Sequence, residues 1–332
     1  MPASPPVILY RYDASPYSHR VDNTLLLKGI PHFQVDVSPT LPRPEITDVL
    51  GITYRRIPIL AIGNDIYCDT SLIVSALERL FPTSAGYPTL YPRRKDGGNP
   101  DTGLVKAFSK YYVDELFGIG ASLLPWTKFP AAFVEDRKSF MSAPLDVKVM
   151  EANRPRNMSK FAAHLVLVEE QLRDGREWLF DTESPGLADL TVHFYLAWVS
   201  KFPGVKSIYD TAPVACQWLS RLSAWIEKKK NGQAAPRKLQ GRDAGDLIAT
   251  SSHEPLSAAG FNTMEADRLG LKENDIVTVA PEDTARNFPT SGKLVALNVE
   301  EVIIQVQGQI GIFHVHFPRL GFDIRPAGKA SL

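Results

Sequence analysis

Between Val7 and Phe81, apolar runs alternate with turn and capping residues in an order that leaves few folds open. Val7 to Tyr12 reads as a buried strand, and Asp13-Ala14-Ser15-Pro16 as the turn out of it. Pro16 suits a first helical position, where its missing N–H would be unpaired anyway. Tyr17, Val21 and Leu25 then recur at one-turn spacing, and Gly29-Ile30-Pro31 stops that helix. His32 to Val37 alternates weakly, as a second strand would, and the proline-punctuated Ser38 to Leu50 holds one short helix. Ile57 to Ile62 is a third strand, Gly63-Asn64 a hairpin turn and Asp65 to Cys68 a fourth strand. Asp69 to Leu80 is a helix whose inward face is Leu72, Ile73, Ala76, Leu77 and Leu80.

Within this order, βαβ followed by αββα, three runs carry polar groups at strand ends or helix starts: Tyr12 to Ser18, Arg55 to Leu60, and Tyr67 to Leu72. Unpaired N–H groups and the positive helix end make such places suitable for an anionic ligand. A lone hydroxyl at Ser15 could hold a ligand thiol as thiolate by donating to the charged form. It could equally be a plain N-cap. Ile57-Pro58 is either an ordinary proline at a strand start or a special turn, and Asp69-Thr70 is by itself a helix cap.

The order and the three runs together resemble the thioredoxin-like N-terminal domain of glutathione transferases, with Ser15-Pro16-Tyr17-Ser18 and Arg20 similar to the motif of the serine-type members. That resemblance implies roles residue by residue. Ser15 would stabilise the glutathione thiolate, with Tyr10, Tyr12 and Ser18 as alternatives, and His19 would be a surface residue. Pro58 would be cis, presenting the backbone of Ile57 to the cysteinyl part of the tripeptide. Arg56 stands where the family has Lys and would take the glycyl carboxylate, with Arg43 beside it; Arg55 would be a surface or interface charge. Asp69 would take the γ-glutamyl ammonium and Thr70 its carboxylate, although Asp reaches one methylene less far than the family's Glu.

Pro82 to Pro100 reads as a linker, and helices dominate from there to about Lys230. Expected inward faces are Leu104, Phe108, Tyr111 and Tyr112; Phe161, Leu165, Val168 and Leu172; and Val214, Trp218, Leu222 and Trp225. Ser184 to Leu190 resembles a helix start in the family's all-helical second domain, with Gly186 in place of Ser or Thr and Asp189 reaching back to the cap. A pocket for a small hydrophobic electrophile would lie between the domains, lined by Tyr111, Tyr112, Phe117 and Trp126. Beyond Lys230, a polar connector leads to short Val-, Ile- and Phe-rich runs at 276–280, 292–297, 302–307, 311–317 and 322–325, which suggest a small antiparallel barrel or sandwich. The whole is similar to fungal glutathione-transferase-like proteins with an extra C-terminal β-domain. The expected fold is thus an α/β thioredoxin-like domain over 1–83, an all-α domain over 100–230 and a small all-β domain over 240–332.

Charge excludes several alternatives. The 332 residues carry 37 basic and 37 acidic side chains, so nothing favours nucleic acid or an anionic membrane. The N-terminus lacks a signal-peptide pattern, no apolar run approaches a bilayer span, and two cysteines without CxxC spacing fit a reducing, cytoplasmic setting. His314 and His316 share a strand face, but no Cys/His cluster accompanies them, so no metal is expected. The expectation is a glutathione-dependent transferase, possible as a homodimer, that conjugates or isomerises a hydrophobic electrophile, in detoxification or secondary metabolism. A non-catalytic scaffold that interacts through its β-domain is the alternative.

Overall fold

The computed structural model describes residues 5–141 and 144–328. Met1 to Ser4, part of the stretch read for a signal peptide, lie outside them. The first unit runs β1 (Val7–Arg11), α1 (Pro16–Lys28), β2 (Phe33–Asp36), α2 (Pro44–Thr47), β3 (Ile59–Ile62), β4 (Asp65–Cys68) and α3 (Thr70–Leu80). β1 pairs parallel with β2 and antiparallel with β3, which pairs antiparallel with β4. This is the thioredoxin-type arrangement. Gly29 closes α1 at φ 67°, a left-handed conformation that costs glycine least. The third strand begins at Ile59 rather than Ile57, because Pro58 has no N–H to give to the ladder.

The second unit is helical: α4 (Thr102–Ser122), α5 (Ala131–Phe140), α6 (Val147–Leu172), α7 (Leu187–Val199), α8 (Lys206–Tyr209) and α9 (Pro213–Asn231). Phe161, Leu165, Val168 and Leu172 of α6 pack with Trp218 and Leu222 of α9 around the almost wholly buried α7. On α4 the inward face differs from the expected one. Leu104 and Tyr111 are exposed, whereas Val105, Ser109, Tyr112 and Leu116, spaced at three to four residues, point inward.

The chain then adds strands to both sides of the first sheet. β5 (Arg237–Lys238) pairs with β2. After α10 (Gly241–Ala249) and α11 (Thr263–Leu269) come β6 (Ile276–Pro281), β7 (Thr290–Leu297), β8 (Glu301–Gln307), β9 (Ile312–Pro318) and β10 (Phe322–Pro326). The strands fall where the sequence puts them, but they neither close into a barrel nor stand apart. β9 pairs parallel with β4, giving one ten-stranded sheet in the order β10-β6-β7-β8-β9-β4-β3-β1-β2-β5. The physical reason is the edge: β4 would otherwise present an unpaired row of backbone groups. One face of β1, β3 and β4 packs under α1 and α3. On the other, Ile8, Ile59 and Ile66 share a core with Val279, Ile304, Phe313 and Phe317. α10 joins this layer through Gly245, where a Cβ would come within 2.4 Å of Val49.

Candidate active site at the start of the first helix

Ser15 caps α1. Its backbone is extended, its Oγ accepts the Ser18 N–H at 3.2 Å, and it is 2% exposed. Because that bond uses an oxygen lone pair, the hydroxyl proton is left to donate elsewhere. Thr70, the first residue of α3, has the same disposition: its Oγ1 accepts from Arg20 Nη1 at 2.6 Å and keeps its own proton. Arg20 is fully buried, and among the described residues no carboxylate lies within ion-pair distance of it. Burial lowers its pKa, a shift that Asp69 and Tyr17 oppose.

Asp69 is the N-cap of α3. Its Oδ1 accepts from Ser71 N at 2.9 Å and Ser71 Oγ at 2.5 Å, with the backbone at φ 76° and ψ 136°. That conformation is strained for a residue with a Cβ, and such strain clusters at ligand sites. The Ile57–Pro58 peptide is cis, as is Leu41–Pro42. Arg56 lies close enough to Asp69 for its charge to be felt; it pairs with Asp283 and donates to Thr284 O at 2.7 Å.

Other expected residues sit differently. Arg43 is buried, and its N–H groups donate to the carbonyls of Ser38 (2.7 Å), Arg55 (2.5 Å) and Pro39 (3.1 Å), so the loop backbone occupies its donors. Arg55 is also buried, paired with Asp136 at 2.7 Å, and clamps α5 to the first unit. Tyr10 packs in the core on the face away from α1, and His19 is exposed. Of the four aromatics expected to line a pocket, Phe117 lies against α1, its ring 4.7 Å from the Tyr17 ring and tilted 48° to it. Tyr112 and Trp126 are buried among helices, and Tyr111 faces His164 on the surface. Tyr111 faces outward because the inward stripe of α4 runs through Val105, Ser109, Tyr112 and Leu116, and Trp126, in the turn after α4, is held by its Nε1–H donating to Ala121 O at 2.8 Å.

Tyr17 is the residue that sequence reasoning passed over, having read it only as packing. Its hydroxyl donates to Val113 O at 3.2 Å, and its ring lies 5.4 Å from Phe194 as well as against Phe117. Burial pushes its phenol pKa well up, with Asp69 adding to the rise and Arg56 and Arg20 opposing it, so the group stays protonated. A cavity of about 520 Å³ lies elsewhere, between the 83–100 linker and α9, bordered by Tyr91, Arg93, Trp225 and Lys229. Among the described residues no cluster of three or more His, Cys, Asp or Glu could hold a metal, and no helix is long and apolar enough to cross a membrane.

Residues 9–85 match the model of the glutathione S-transferase N-terminal domain, and residues 121–231 match a domain of unknown function (DUF7962). The chain is similar over 97% of its length, and 99% of the other's, to a GST-like protein from Pseudomonas syringae, with 26% identity and a TM-score of 0.69. Poplar glutathione transferase F1 (16% identity) and the β-etherase LigF from Sphingobium sp. strain SYK-6 (17%) each cover 68% of this chain and 99% of their own, at TM-scores of 0.50. These two likenesses concern the fold alone. No curated protein matches the chain. The first two units are therefore a GST-like thioredoxin domain and helical domain, and the strand-rich C-terminal region lies within the span shared with the Pseudomonas protein.

Proposed function

We propose that the protein is a serine-type glutathione transferase. The observation that carries this reading is Ser15: a buried hydroxyl whose oxygen is already used as an acceptor by the helix it caps, so that its proton can serve a ligand. Glutathione would lie across the starts of α1 and α3. The Ile57 backbone would pair with its cysteinyl unit, Asp69 would accept from its ammonium, and Thr70 would donate to the γ-glutamyl carboxylate. Arg56 would meet the glycyl carboxylate. The thiol loses its proton to solvent, and Ser15 donates to the sulfur anion. The thiolate attacks an electrophilic carbon of a hydrophobic electrophile, forming a C–S bond as the bond from that carbon to its leaving group breaks and the leaving group departs to solvent with the electron pair. Phe117 and Tyr17 supply an aromatic wall for that electrophile. Isomerisation is an alternative outcome of the same thiolate attack. The experiment is calorimetric titration with glutathione followed by conjugation assays over a panel of electrophiles. No binding would reject the proposal, and binding without turnover on any electrophile would favour a scaffold.

The scaffold reading has one observation in its favour: the donors of Arg56 already face Asp283 and Thr284 of the same chain. Ionisation of the bound thiol separates the two, since a scaffold has no need to activate it.

A further inference from the structure

The hairpin between β6 and β7 is bolted to the first two units. Thr53 Oγ1 donates to Pro289 O at 2.5 Å, Tyr54 N–H to Thr290 Oγ1 at 2.9 Å, and Ala285 N–H to Phe140 O at 2.7 Å. The Phe288 ring lies 4.8 Å from the Arg55 guanidinium. These contacts fix the hairpin beside the segment that enters the Ile57–Pro58 turn. Asp283 and Thr284 use that position differently, because both engage Arg56. The side chain of Arg56 is only 19% exposed, whereas that of Asp283 is 67% exposed. A fixed, mostly buried cation is thus held by a carboxylate on an open tip, and an ion pair with one solvent-exposed partner is weak enough to exchange. Asp69, the other acid acting on Arg56, is engaged with Ser71 instead.

Resting on the glutathione reading above, we infer that Asp283 is a specificity-determining residue, an internal stand-in for the terminal carboxylate of the ligand at Arg56. A thiol peptide gains from Arg56 only by bringing its own carboxylate and displacing Asp283, exchanging one ion pair for another. A thiol whose glycyl end is neutral leaves the Arg56–Asp283 pair intact. Native protein should therefore discriminate little between glutathione and its glycyl monoethyl ester, and the carboxylate of Asp283 is the cause.

The test is calorimetric titration of glutathione and of that ester into the full-length protein and into Asp283→Asn, with the melting temperature of each as a folding control. Asp283→Asn should tighten glutathione about fivefold, leave the ester unchanged and melt like the native chain. An unchanged ratio of the two affinities overturns the inference while the glutathione reading survives. Equal tightening of both ligands also overturns it, because the hairpin would then act by bulk. If neither ligand binds either protein, the glutathione reading falls and takes this inference with it.

Discussion

At the scale of single residues, the site turns on which partner each hydroxyl uses. Ser15 and Thr70 both accept from protein donors, the Ser18 N–H and Arg20, and so both keep a proton for a ligand. Arg20→Met should remove the group that orients Thr70 and weaken glutathione binding, as should Thr70→Val. Because the two residues touch, the double variant should lose less than the sum, with a coupling of roughly 0.5–3 kcal/mol; strictly additive losses in titration would show that Arg20 acts on binding independently of Thr70. Ser15, the Ile57–Pro58 turn and the Asp69-Thr70 helix start were visible in sequence, because cap and turn chemistry is local. The contacts of Arg20 to Thr70 and of Tyr17 to Val113 join residues 50 and 96 positions apart, and no local pattern announces them. Arg43 differs: its partners are near in sequence, but nothing in the residue pattern of a proline-rich loop tells a charge awaiting a ligand from one that ties up the backbone carbonyls of Ser38, Pro39 and Arg55.

At the scale of elements, α7 shows why one departure from the family pattern exists. Asp189 is buried, its Oδ2 accepting the Gly186 N–H at 3.1 Å and its Oδ1 the Leu179 N–H at 2.9 Å and Trp218 Nε1 at 3.2 Å. Gly186 has no side chain to complete the box, but a Cβ there would come within 2.8 Å of Pro92 and 3.0 Å of Leu90 O. Close packing of the linker on the helix start therefore outweighs the few tenths of a kcal/mol that a serine cap offers. Gly186→Ser should lower stability by about 1–3 kcal/mol through overpacking, measured by denaturant unfolding. A neutral or stabilised variant would mean that the linker yields. Asp189→Ala should cost more, since it leaves buried donors unpaired at about 1–3 kcal/mol each. The rotation of α4 was not legible, because Leu104 and Tyr111 fit a helical stripe as well as their neighbours do.

At the scale of the molecule, the C-terminal strands were legible as strands but not as part of the first sheet, since strand pairing between residues some 250 positions apart leaves no periodic trace. The seam is polar at its centre. His316 is fully buried, with Nε2 3.0 Å from Asp65 and Nδ1 2.9 Å from Glu301, and Arg79 reaches Glu301 at 3.3 Å and Glu254 at 3.0 Å. Burial would lower the His316 pKa, but the two carboxylates raise it overall. Burial would raise that of Asp65, but His314 and His316 beside it and the Glu254 N–H bring it down to about 2. The His316 contribution is therefore complete below its ordinary pKa of 6.5 and is lost as pH rises through the higher folded value. That of Asp65 is complete above 3.8 and is lost as pH falls towards 2. Stability should peak between the two windows, and His316→Gln should abolish the alkaline decline while costing about 3–5 kcal/mol at the peak; a native alkaline decline that persists in the variant would assign it to other groups. Truncation after Lys230 would uncover the β4 edge and the shared core face together, so the shortened chain should aggregate. A truncated chain that stays soluble and melts unchanged would show that the first two units stand alone. Pairing of β9 with β4 also takes one sheet edge away from any homodimer.

The claim on which the functional reading rests is that Ser15 ionises a bound thiol. Ultraviolet absorbance of the thiolate, followed against pH for glutathione bound to the native protein and to Ser15→Ala at saturating ligand, tests it directly. The native complex should ionise its thiol well below the ordinary thiol range, near 8.5, and Ser15→Ala should restore the ordinary value with binding largely kept, a loss on the order of 2–4 kcal/mol in thiolate stabilisation. Identical titrations in the two proteins, or no thiolate at neutral pH in the native complex, would contradict it.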